Sequence, residues 1–198
     1  AFLRAAGGYG GDAVVVERSL AGEVVRFFYV APRVVGVKLS LPPNVVGDGA
    51  TAIADLVAAK NRARDARRLP GHKHLVVDDD VQAFLALAGR ALASVPAAGE
   101  RVFLRAISNG AVGADSIAFA DALHPSYVAL VEAIGASLAP LQVAALDTVI
   151  ADRAAPASPA GFAVLEVNNS PGVLPYLYPW EGAPQDVAAA LVALMERL

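Results

Sequence analysis

Two short β-branched runs separated by only three residues constrain the fold of this chain more than any other feature. Residues 24–30 and 34–41 are rich in valine and large apolar side chains, and a three-residue Ala-Pro-Arg segment separates them. Parallel strands need a crossover of about a dozen residues, so this spacing permits only an antiparallel hairpin. A second pair, 143–151 and 161–168, flanks a loop of proline, alanine and serine. The sequence therefore predicts an antiparallel sheet built from hairpins.

Helical patterns lie between and after these strands. The predicted helices begin at Thr51 (running to about Asp65), after residues 78–80, at His124-Pro125 and at Pro184. A further strand is expected over 101–107, and a helix end, a glycine-rich turn and a strand over 1–6, 7–11 and 14–17. Hairpins mixed with separate helices are typical of the α+β class, here an antiparallel sheet with packed helices.

Composition excludes several classes of function. The 198 residues include no cysteine, which rules out disulfides and thiol chemistry, and three histidines, which argue against a zinc site. The longest apolar stretch, between Glu132 and Asp147, has 14 residues and is interrupted by Pro140 and Gln142, so it is too short to span a bilayer. No secretion signal opens the sequence, and a cytoplasmic protein is expected.

One basic cluster stands out in a chain whose net charge is only −3. Its members are Arg62, Arg64, Arg67, Arg68, His72, Lys73 and His74. Two interpretations remain open: a solvated helix end and loop, which is favoured, or a surface free to approach an anionic substrate or phosphate. No second cluster and no interleaved aromatic residues accompany it, so nucleic-acid binding is not expected.

Polar residues at alternating positions of the last predicted strand indicate a metal site. Glu166 and Asn168 are two apart and share one face, whereas Leu165 and Val167 are expected to face the core. If the hairpin is symmetric about the middle of its loop, Asp147 falls opposite Glu166 and adds a third oxygen ligand. Carboxylate and amide oxygens suit Mg²⁺. A single acid in a strand is more often simply exposed to solvent, and three converging ligands favour the metal interpretation.

Three segments, in the same order along the chain, resemble motifs of ATP-grasp ligases. Glu166-Val167-Asn168-Asn169-Ser170-Pro171-Gly172 is similar to the metal-binding E-x-N-x-x-PG segment of that superfamily. Pro43-Asn44-Val45-Val46-Gly47-Asp48-Gly49, Thr51-Ala52-Ile53 and Lys60-Asn61 resemble a stretch of cyanophycin synthetases and of the ligase half of bifunctional glutathione synthetases. Pro96, Gly99-Glu100, Leu104-Arg105, Asn109, Asp121 and His124-Pro125 resemble a further block of the same two families. The chain is identified on these motifs as a member of the ATP-grasp superfamily.

The resemblance implies an ATP-grasp fold, its cofactors and a set of site residues. Asp147, Glu166 and Asn168 match ligands of Mg²⁺, with Mn²⁺ as a substitute ion. Glu17, Ser19, Leu20 and Glu23 match residues around the adenine and ribose of ATP, and Arg26 matches an arginine of the next strand whose role is unassigned. Arg105 and Asn109 match residues that reach the γ-phosphate and the acyl-phosphate. The implied activity joins the carboxylate of a small-molecule amino acid or peptide to an amine through an acyl-phosphate.

The same resemblance sets the expected domain organisation. Residues 1–23 would end the first lobe and form the hinge, and residues 24–198 would form the second lobe, with a helical excursion over 42–92 too small to enclose its own core. Family members hold the phosphates with two lysines and a glycine-rich loop in the first lobe, whereas the three lysines here all follow the hinge. The chain is therefore expected to be cut off upstream of that loop and inactive alone.

Departures from the family pattern fall where substrates bind. Ala145-Leu146 precedes Asp147 where a glycine is usual, residues 109–113 replace the Ser/Thr-Gly-Gly turn, and residues 174–180 lack a histidine typical of cyanophycin synthetases. The substrate is therefore expected to differ from those of the two named families. A non-catalytic nucleotide-binding or regulatory module remains the alternative, and the sequence does not decide whether the protein forms a homo-oligomer.

Arg105 is the residue expected to act in phosphoryl transfer. The predicted strand places it on one face with Phe103 and Ile107, so its guanidinium must reach past them to a polar partner. The metal carboxylates and bound phosphates are the expected partners, and an ordinary surface arginine is the alternative. His124 is expected to cap the helix beside it rather than act as a base.

Overall fold

The structure is a computed structural model that describes residues 19–108, 110–119 and 122–197. The elements expected before residue 18, together with Glu17, Asn109 and Asp121, lie outside the described residues. The strands are β1 (Glu23–Val30), β2 (Arg33–Leu41), β3 (Asn44–Val46), β4 (Arg101–Phe103), β5 (Asp115–Ala118), β6 (Val143–Ile150) and β7 (Phe162–Asn168). The α-helices are α1 (Ile53–Arg67), α2 (Asp79–Leu87), α3 (Pro125–Ser137), α4 (Leu174–Leu177) and α5 (Val187–Met195).

Five of these strands form one antiparallel sheet in the order β5-β2-β1-β6-β7. Both predicted hairpins are present, β1 with β2 and β6 with β7. β1 also pairs with β6, which joins the two hairpins into a single sheet. Because side chains alternate along each strand, the sheet has two faces that meet different partners.

One face of the sheet is covered by α3. The buried residues there include Val25, Phe27 and Tyr29 of β1, Leu146 and Ile150 of β6, and Tyr127 and Val131 of α3. Burying each large apolar side chain contributes about 1.5–3 kcal/mol. The helix begins as predicted: His124 is its N-cap, and His124 Nδ1 accepts a hydrogen bond from the Ser126 amide at 3.3 Å.

Helices cover only one end of the opposite face. Phe28 and Val30 of β1 pack there against Tyr176 of α4 and Val187 of α5. The approach is close at Gly36 of β2, where a Cβ would lie 2.7 Å from a methyl carbon of Val187. Towards the other end, the same face carries polar side chains and remains open.

A second hydrophobic cluster lies in the segment predicted as a helical excursion. β3 and β4 pair there in antiparallel fashion, and α1 and α2 pack beside them. The buried members are Val45, Ile53, Val57, Leu75, Val81, Leu85, Val102 and Leu104. Residues 101–104, which lie outside the predicted excursion, contribute Val102 and Leu104 to this cluster. The segment 42–92 therefore does not form the cluster by itself.

Three predicted element boundaries are wrong for local reasons. α1 begins at Ile53 without a side-chain cap, because the Thr51 hydroxyl donates instead to Asp48 at 2.6 Å. The strand predicted over 101–107 ends at Phe103, because its partner β3 has only three residues and its pairing ends there. α5 begins later than Pro184 indicated, with Asp186 as its N-cap.

Helix length bears on the prediction that no segment crosses a membrane. α1 has 15 residues. Among the ranges that the structure describes, no helix is both long and apolar enough to span a bilayer.

Candidate functional site

Four charged side chains cross the open end of the sheet in one row. Lys38 of β2 lies opposite Arg26 of β1, and Arg26 lies opposite Asp147 of β6. Asp147 in turn lies opposite Glu166 of β7. Residues directly opposite each other on adjacent strands share a face. This charged row therefore changes sign across the sheet, from positive on β2 and β1 to negative on β6 and β7.

The charged row forms the floor of a cleft of about 550 Å³. Three parts of the chain form its walls: Pro70, Gly71 and His72; Ser108, Gly110, Ala114, Asp115 and Ser116; and Pro175 with Tyr178. A cleft of this size can enclose a small-molecule ligand. Its charged floor favours a ligand that carries charge itself.

Asp147 is nearly enclosed, with 8% of its surface exposed. Arg26 holds it with both arms of the guanidinium fork: Nε donates to Oδ1 at 2.5 Å, and Nη2 donates to Oδ2. These hydrogen bonds raise the pKa of Arg26 above its usual value. A bidentate arginine–carboxylate pair is a strong interaction, so Arg26 fixes the orientation of Asp147.

The register predicted for the second hairpin is confirmed at the site. Asp147 pairs with Glu166, and the side chain of Asn168 emerges on the same face. A register shift directly after Asp147 leaves Leu165 as the extra residue of a β-bulge. The prediction that Leu165 faces the core is wrong, because this bulge residue lines the cleft and is 54% exposed. Val167 lies opposite the core residue Leu146 but is 40% exposed, because β7 is an edge strand.

Asp147, Glu166 and Asn168 supply the oxygen donors that Mg²⁺ prefers. Asn168 Nδ2 lies 3.4 Å from Asp147 Oδ2, so a rotation of the amide would bring its oxygen to the same point. In the described parts of the chain, no three Asp, Glu, His or Cys side chains converge on one point. A cation here would therefore have two carboxylates and one amide as protein ligands, and a residual shell of water or phosphate oxygens is usual for Mg²⁺. The donor set fits the ion.

Lys38 is a cleft residue that sequence reasoning misses. It is 7% exposed, and its Nζ donates a hydrogen bond to Ser40 Oγ at 2.7 Å. Burial, assisted by repulsion from Arg26, lowers the pKa of Lys38 to about 8. The available signal is alternation: Lys38 and Ser40 are polar residues two apart in an otherwise apolar strand, as Glu166 and Asn168 are.

Arg105 has different partners from those predicted. Its Nη2 donates to Asp78 Oδ2, and its Nη1 lies 3.6 Å from Asp80 Oδ2. Asp78 is the N-cap of α2 and accepts a hydrogen bond from the Val81 amide. Arg105 thus binds the start of α2, and the expected contact with the metal carboxylates is wrong, because β4 ends at Phe103 before the predicted alternation reaches residue 105. Its role in phosphoryl transfer remains a prediction.

The residues predicted around the nucleotide are only partly described. Ser19 is exposed, and Leu20 lines a small cleft of about 50 Å³ on β6 and β7. Glu23 forms an ion pair with Arg153 at 3.3 Å, and alternation along β1 places it on the face opposite to Arg26. The roles of all these residues remain predictions.

Two arginines of the basic cluster contact other parts of the protein, and one of the two is buried. Arg64 is 3% exposed and donates to Asp115 Oδ1 at 2.7 Å and to the Gly113 carbonyl at 2.9 Å. The Arg67 guanidinium lies 4.0 Å from the centre of the Trp180 ring. The interpretation that the cluster is free to approach an anion is therefore wrong for Arg64, which is buried and attaches α1 to β5. For Arg67, which is exposed and contacts the segment after α4, it stays a prediction.

Comparison of folds defines the class of this chain. The structure is similar to the crystal structure of a bifunctional glutathione synthetase from Pasteurella multocida, with a TM-score of 0.78 and 32% identity over 91% of this chain and 25% of that one. No protein-family model matches the sequence. The chain has the ATP-grasp fold and belongs to the ATP-grasp carboxylate–amine ligase superfamily.

Two groups of curated relatives match most of the chain. It is 35% identical over 191 residues to the glutathione biosynthesis bifunctional protein of Mannheimia succiniciproducens, covering 92% of this chain and 24% of that protein. It is 31% identical over 186 residues to the cyanophycin synthetase of Trichormus variabilis, covering 92% of this chain and 20% of that protein. The chain thus spans about a quarter or less of the length of these relatives. The resemblance to both groups is confirmed.

Proposed function

We propose that this chain is the nucleotide- and metal-binding part of an ATP- and Mg²⁺-dependent ligase. The ligase joins the carboxylate of an amino acid or peptide to an amine. The observation that carries the proposal is the convergence of Asp147, Glu166 and Asn168 on the floor of a cleft large enough for a small ligand. The relatives, named for glutathione biosynthesis and cyanophycin synthesis, support a ligase of this class.

In this proposal the two carboxylates and the amide hold the cation. When bound, Mg²⁺ offsets the negative charge on the phosphate oxygens of ATP. Asp147 and Glu166 supply the opposing negative charge, and Asn168 turns its amide oxygen toward them. Arg26 lies beside Asp147 and can direct one arm of its fork to a phosphate while the other keeps the aspartate in place.

The proposed reaction has two steps. The substrate carboxylate attacks the γ-phosphorus of ATP, a new oxygen–phosphorus bond forms, and ADP leaves. The amine then attacks the carbonyl carbon of the acyl-phosphate, phosphate leaves with the electron pair of the carbon–oxygen bond, and the nitrogen loses a proton. Two anions meet in the first step, so the cationic side chains of the cleft floor reduce their repulsion.

The remaining assignments rest on the resemblance. Glu17, Ser19, Leu20 and Glu23 are assigned to the nucleotide, and Arg105 and Asn109 to the transferred phosphoryl group. Two of these assignments require a rearrangement, because Glu23 would have to leave Arg153 and Arg105 would have to leave Asp78.

The Arg26–Asp147 pair favours one alternative, a non-catalytic nucleotide-binding or regulatory module. An aspartate whose two oxygens are both bound by an arginine needs no metal ion to balance its charge. Such a module would bind ATP with the same affinity with and without Mg²⁺.

Calorimetry distinguishes the two candidates. ATP is titrated into the protein once in the presence of Mg²⁺ and once in the presence of EDTA, and the two affinities are compared. We expect Mg²⁺ to tighten the binding of ATP. In Glu166→Gln and in Asp147→Asn, the affinity for ATP with Mg²⁺ should be at least about tenfold lower than in wild type, which is about 1.4 kcal/mol. The matched controls Glu196→Gln and Asp55→Asn change exposed acids outside the cleft and should behave as wild type.

Equal affinities with and without Mg²⁺ would support the module and contradict the ligase. For the ligase, hydroxylamine added to the longest available form of the protein with ATP, Mg²⁺ and a panel of amino acids and peptides should trap the acyl-phosphate as a hydroxamate. The acids that give hydroxamate identify the substrate.

A further inference from the structure

Lys38 is a buried cation in the described part of the cleft floor with no acidic partner. Its ammonium makes one side-chain hydrogen bond, to Ser40 Oγ at 2.7 Å. An ammonium group has three donors, so within the described residues two of them are left for the cleft that Lys38 lines. Arg26, the neighbouring cation of the row, is already neutralised by Asp147.

The other largely buried lysine described in the structure, Lys60, has an acidic partner, whereas Lys38 does not. The Lys60 ammonium donates to Asp115 Oδ2 at 2.6 Å and to the Asn44 carbonyl at 2.8 Å, so its charge is compensated. Lys38 is 7% exposed without such compensation. Burial of a charge without a counter-ion is costly, and a protein that needs no ligand there would be more stable with an apolar residue.

Ser40 adds a second donor beside the ammonium. Its hydroxyl oxygen accepts from Lys38, which leaves the hydroxyl proton free for another acceptor. Lys38 and Ser40 both lie on the cleft face of β2, two residues apart. The two side chains therefore present a charged donor and a neutral donor to the same region of the cleft.

The charged row defines what kind of ligand would reach this pair. Lys38 and Asp147 are separated by two strand spacings, which is about 10 Å. A ligand that extends from the acidic end of the row would place a second polar group near Lys38. An acceptor that carries negative charge accepts hydrogen bonds from both groups and also offsets the charge of the ammonium.

We propose that Lys38 and Ser40 form an oxyanion subsite that binds a phosphoryl or carboxylate group of the ligand in the cleft. The inference rests on the proposed function only in taking the cleft as the ligand site. Binding of the oxyanion supplies the missing counter-ion, and the lowered pKa of Lys38 is consistent with a charge that the free protein leaves uncompensated.

NMR of the chain labelled with ¹³C at the lysine ε carbons tests the proposal directly. The sequence has three lysines, Lys38, Lys60 and Lys73, so each signal can be assigned from Lys38→Met and Lys73→Met. Phosphate, acetate and Mg-ATP are titrated separately at pH 7 and constant ionic strength. We expect a saturable shift of the Lys38 signal, no shift of exposed Lys73, and a Kd about fivefold weaker in Ser40→Ala.

The three probes distinguish the source of the oxyanion. A Lys38 shift with phosphate or Mg-ATP supports a phosphoryl group, and a shift with acetate alone supports a carboxylate. If no probe moves the Lys38 signal, or if Lys73 moves equally, the subsite does not exist. A Lys38 signal that stays unmoved while Mg²⁺ still tightens ATP binding would overturn this inference and leave the proposed function intact.

Discussion

At the scale of single residues, Arg26 binds the two oxygens of Asp147 that the proposed metal site would use. Its guanidinium binds both oxygens of Asp147, one of the two carboxylates available to a cation. A positive charge so close to the site repels an incoming Mg²⁺ and competes with it for the same oxygens. In the proposed site, the affinity for a metal ion would therefore depend on Arg26 as well as on Asp147 and Glu166.

Replacing Arg26 with methionine should strengthen metal binding and weaken the fold. We expect Mn²⁺, measured by electron paramagnetic resonance, to bind Arg26→Met at least about fivefold more tightly, since one nearby positive charge is removed. The free energy of unfolding should fall by about 1–3 kcal/mol without metal and recover when metal is added. Arg153→Met, which removes the partner of Glu23, is the control. Unchanged Mn²⁺ affinity would show that Asp147 is not a metal ligand.

Lys38 makes stability depend on pH in the alkaline range. Its pKa in the folded protein is about 8, below the ordinary value of 10.5. Between these two values the unfolded chain holds more protons than the folded one, so stability rises with pH relative to a variant without the amine. Arg26, which lowers the pKa of Lys38, and Asp147, which raises it, are the charged groups that act on Lys38 across the row.

Lys38→Met should therefore stabilise the protein most below pH 8. The cost of burying the charge is fully present there, on the order of 3 kcal/mol, and disappears as the pH approaches 10.5. Urea unfolding of both proteins at several pH values measures the difference, and Lys73→Met is the exposed control. Parallel curves for wild type and Lys38→Met across this range would show that burial does not perturb the lysine.

At the scale of elements, Arg105 connects the end of β4 to the start of α2. It binds Asp78, the N-cap that accepts a hydrogen bond from the Val81 amide. That amide and Arg105 both lower the pKa of Asp78. The contact positions a helix of nine residues whose Val81 and Leu85 are buried in the second hydrophobic cluster.

Arg105→Lys tests whether this contact or phosphoryl transfer is the main role of the residue. The sequence alone predicts a turnover at least about 100-fold lower with an unchanged melting temperature, because lysine keeps the charge and loses the fork. The contact with α2 predicts instead a melting temperature lower by about 3 °C. Calorimetry on this chain and turnover in the longest available form of the protein give both values. Arg90→Lys, at the half-buried ion pair of Arg90 with Glu100, controls for loss of a fork.

At the scale of the whole molecule, one buried aspartate joins the two hydrophobic clusters. Asp115 of β5 has no exposed side-chain surface, and it binds Arg64 and Lys60 of α1 as well as Asn44 of β3. These contacts attach the smaller cluster to the edge of the main sheet. They also place the loop that follows α1, residues 70–72, as a wall of the cleft.

Asp115→Asn should be one of the most damaging single substitutions in the chain. It leaves two cations in a buried site without a counter-ion, which costs about 3–5 kcal/mol. Urea denaturation should show this loss, and Asp65→Asn, at an exposed aspartate paired with His74, should change stability by less than about 1 kcal/mol. A variant as stable as wild type would mean that the two clusters are held together by apolar contacts alone.

Both hairpins, and the shared face of the three proposed metal ligands, were predictable from the sequence alone. Both depend on local rules: a three-residue connection permits only antiparallel pairing, and residues two apart in a strand share a face. The pairing of Asp147 with Glu166 followed from loop symmetry and is confirmed. The motifs also identified the superfamily, because their residues are contiguous in the chain.

The pairing of distant charged residues depends on the tertiary structure. Arg26 and Asp147 are 121 residues apart, and Arg64 and Asp115 are 51 apart, so no local pattern pairs them. The bulge at Leu165, the end of β4 at Phe103 and the burial of Lys38 likewise depend on which strand lies alongside. Strand order and packing depend on the burial of many side chains that are far apart in the sequence. A pattern within one segment therefore does not predict them.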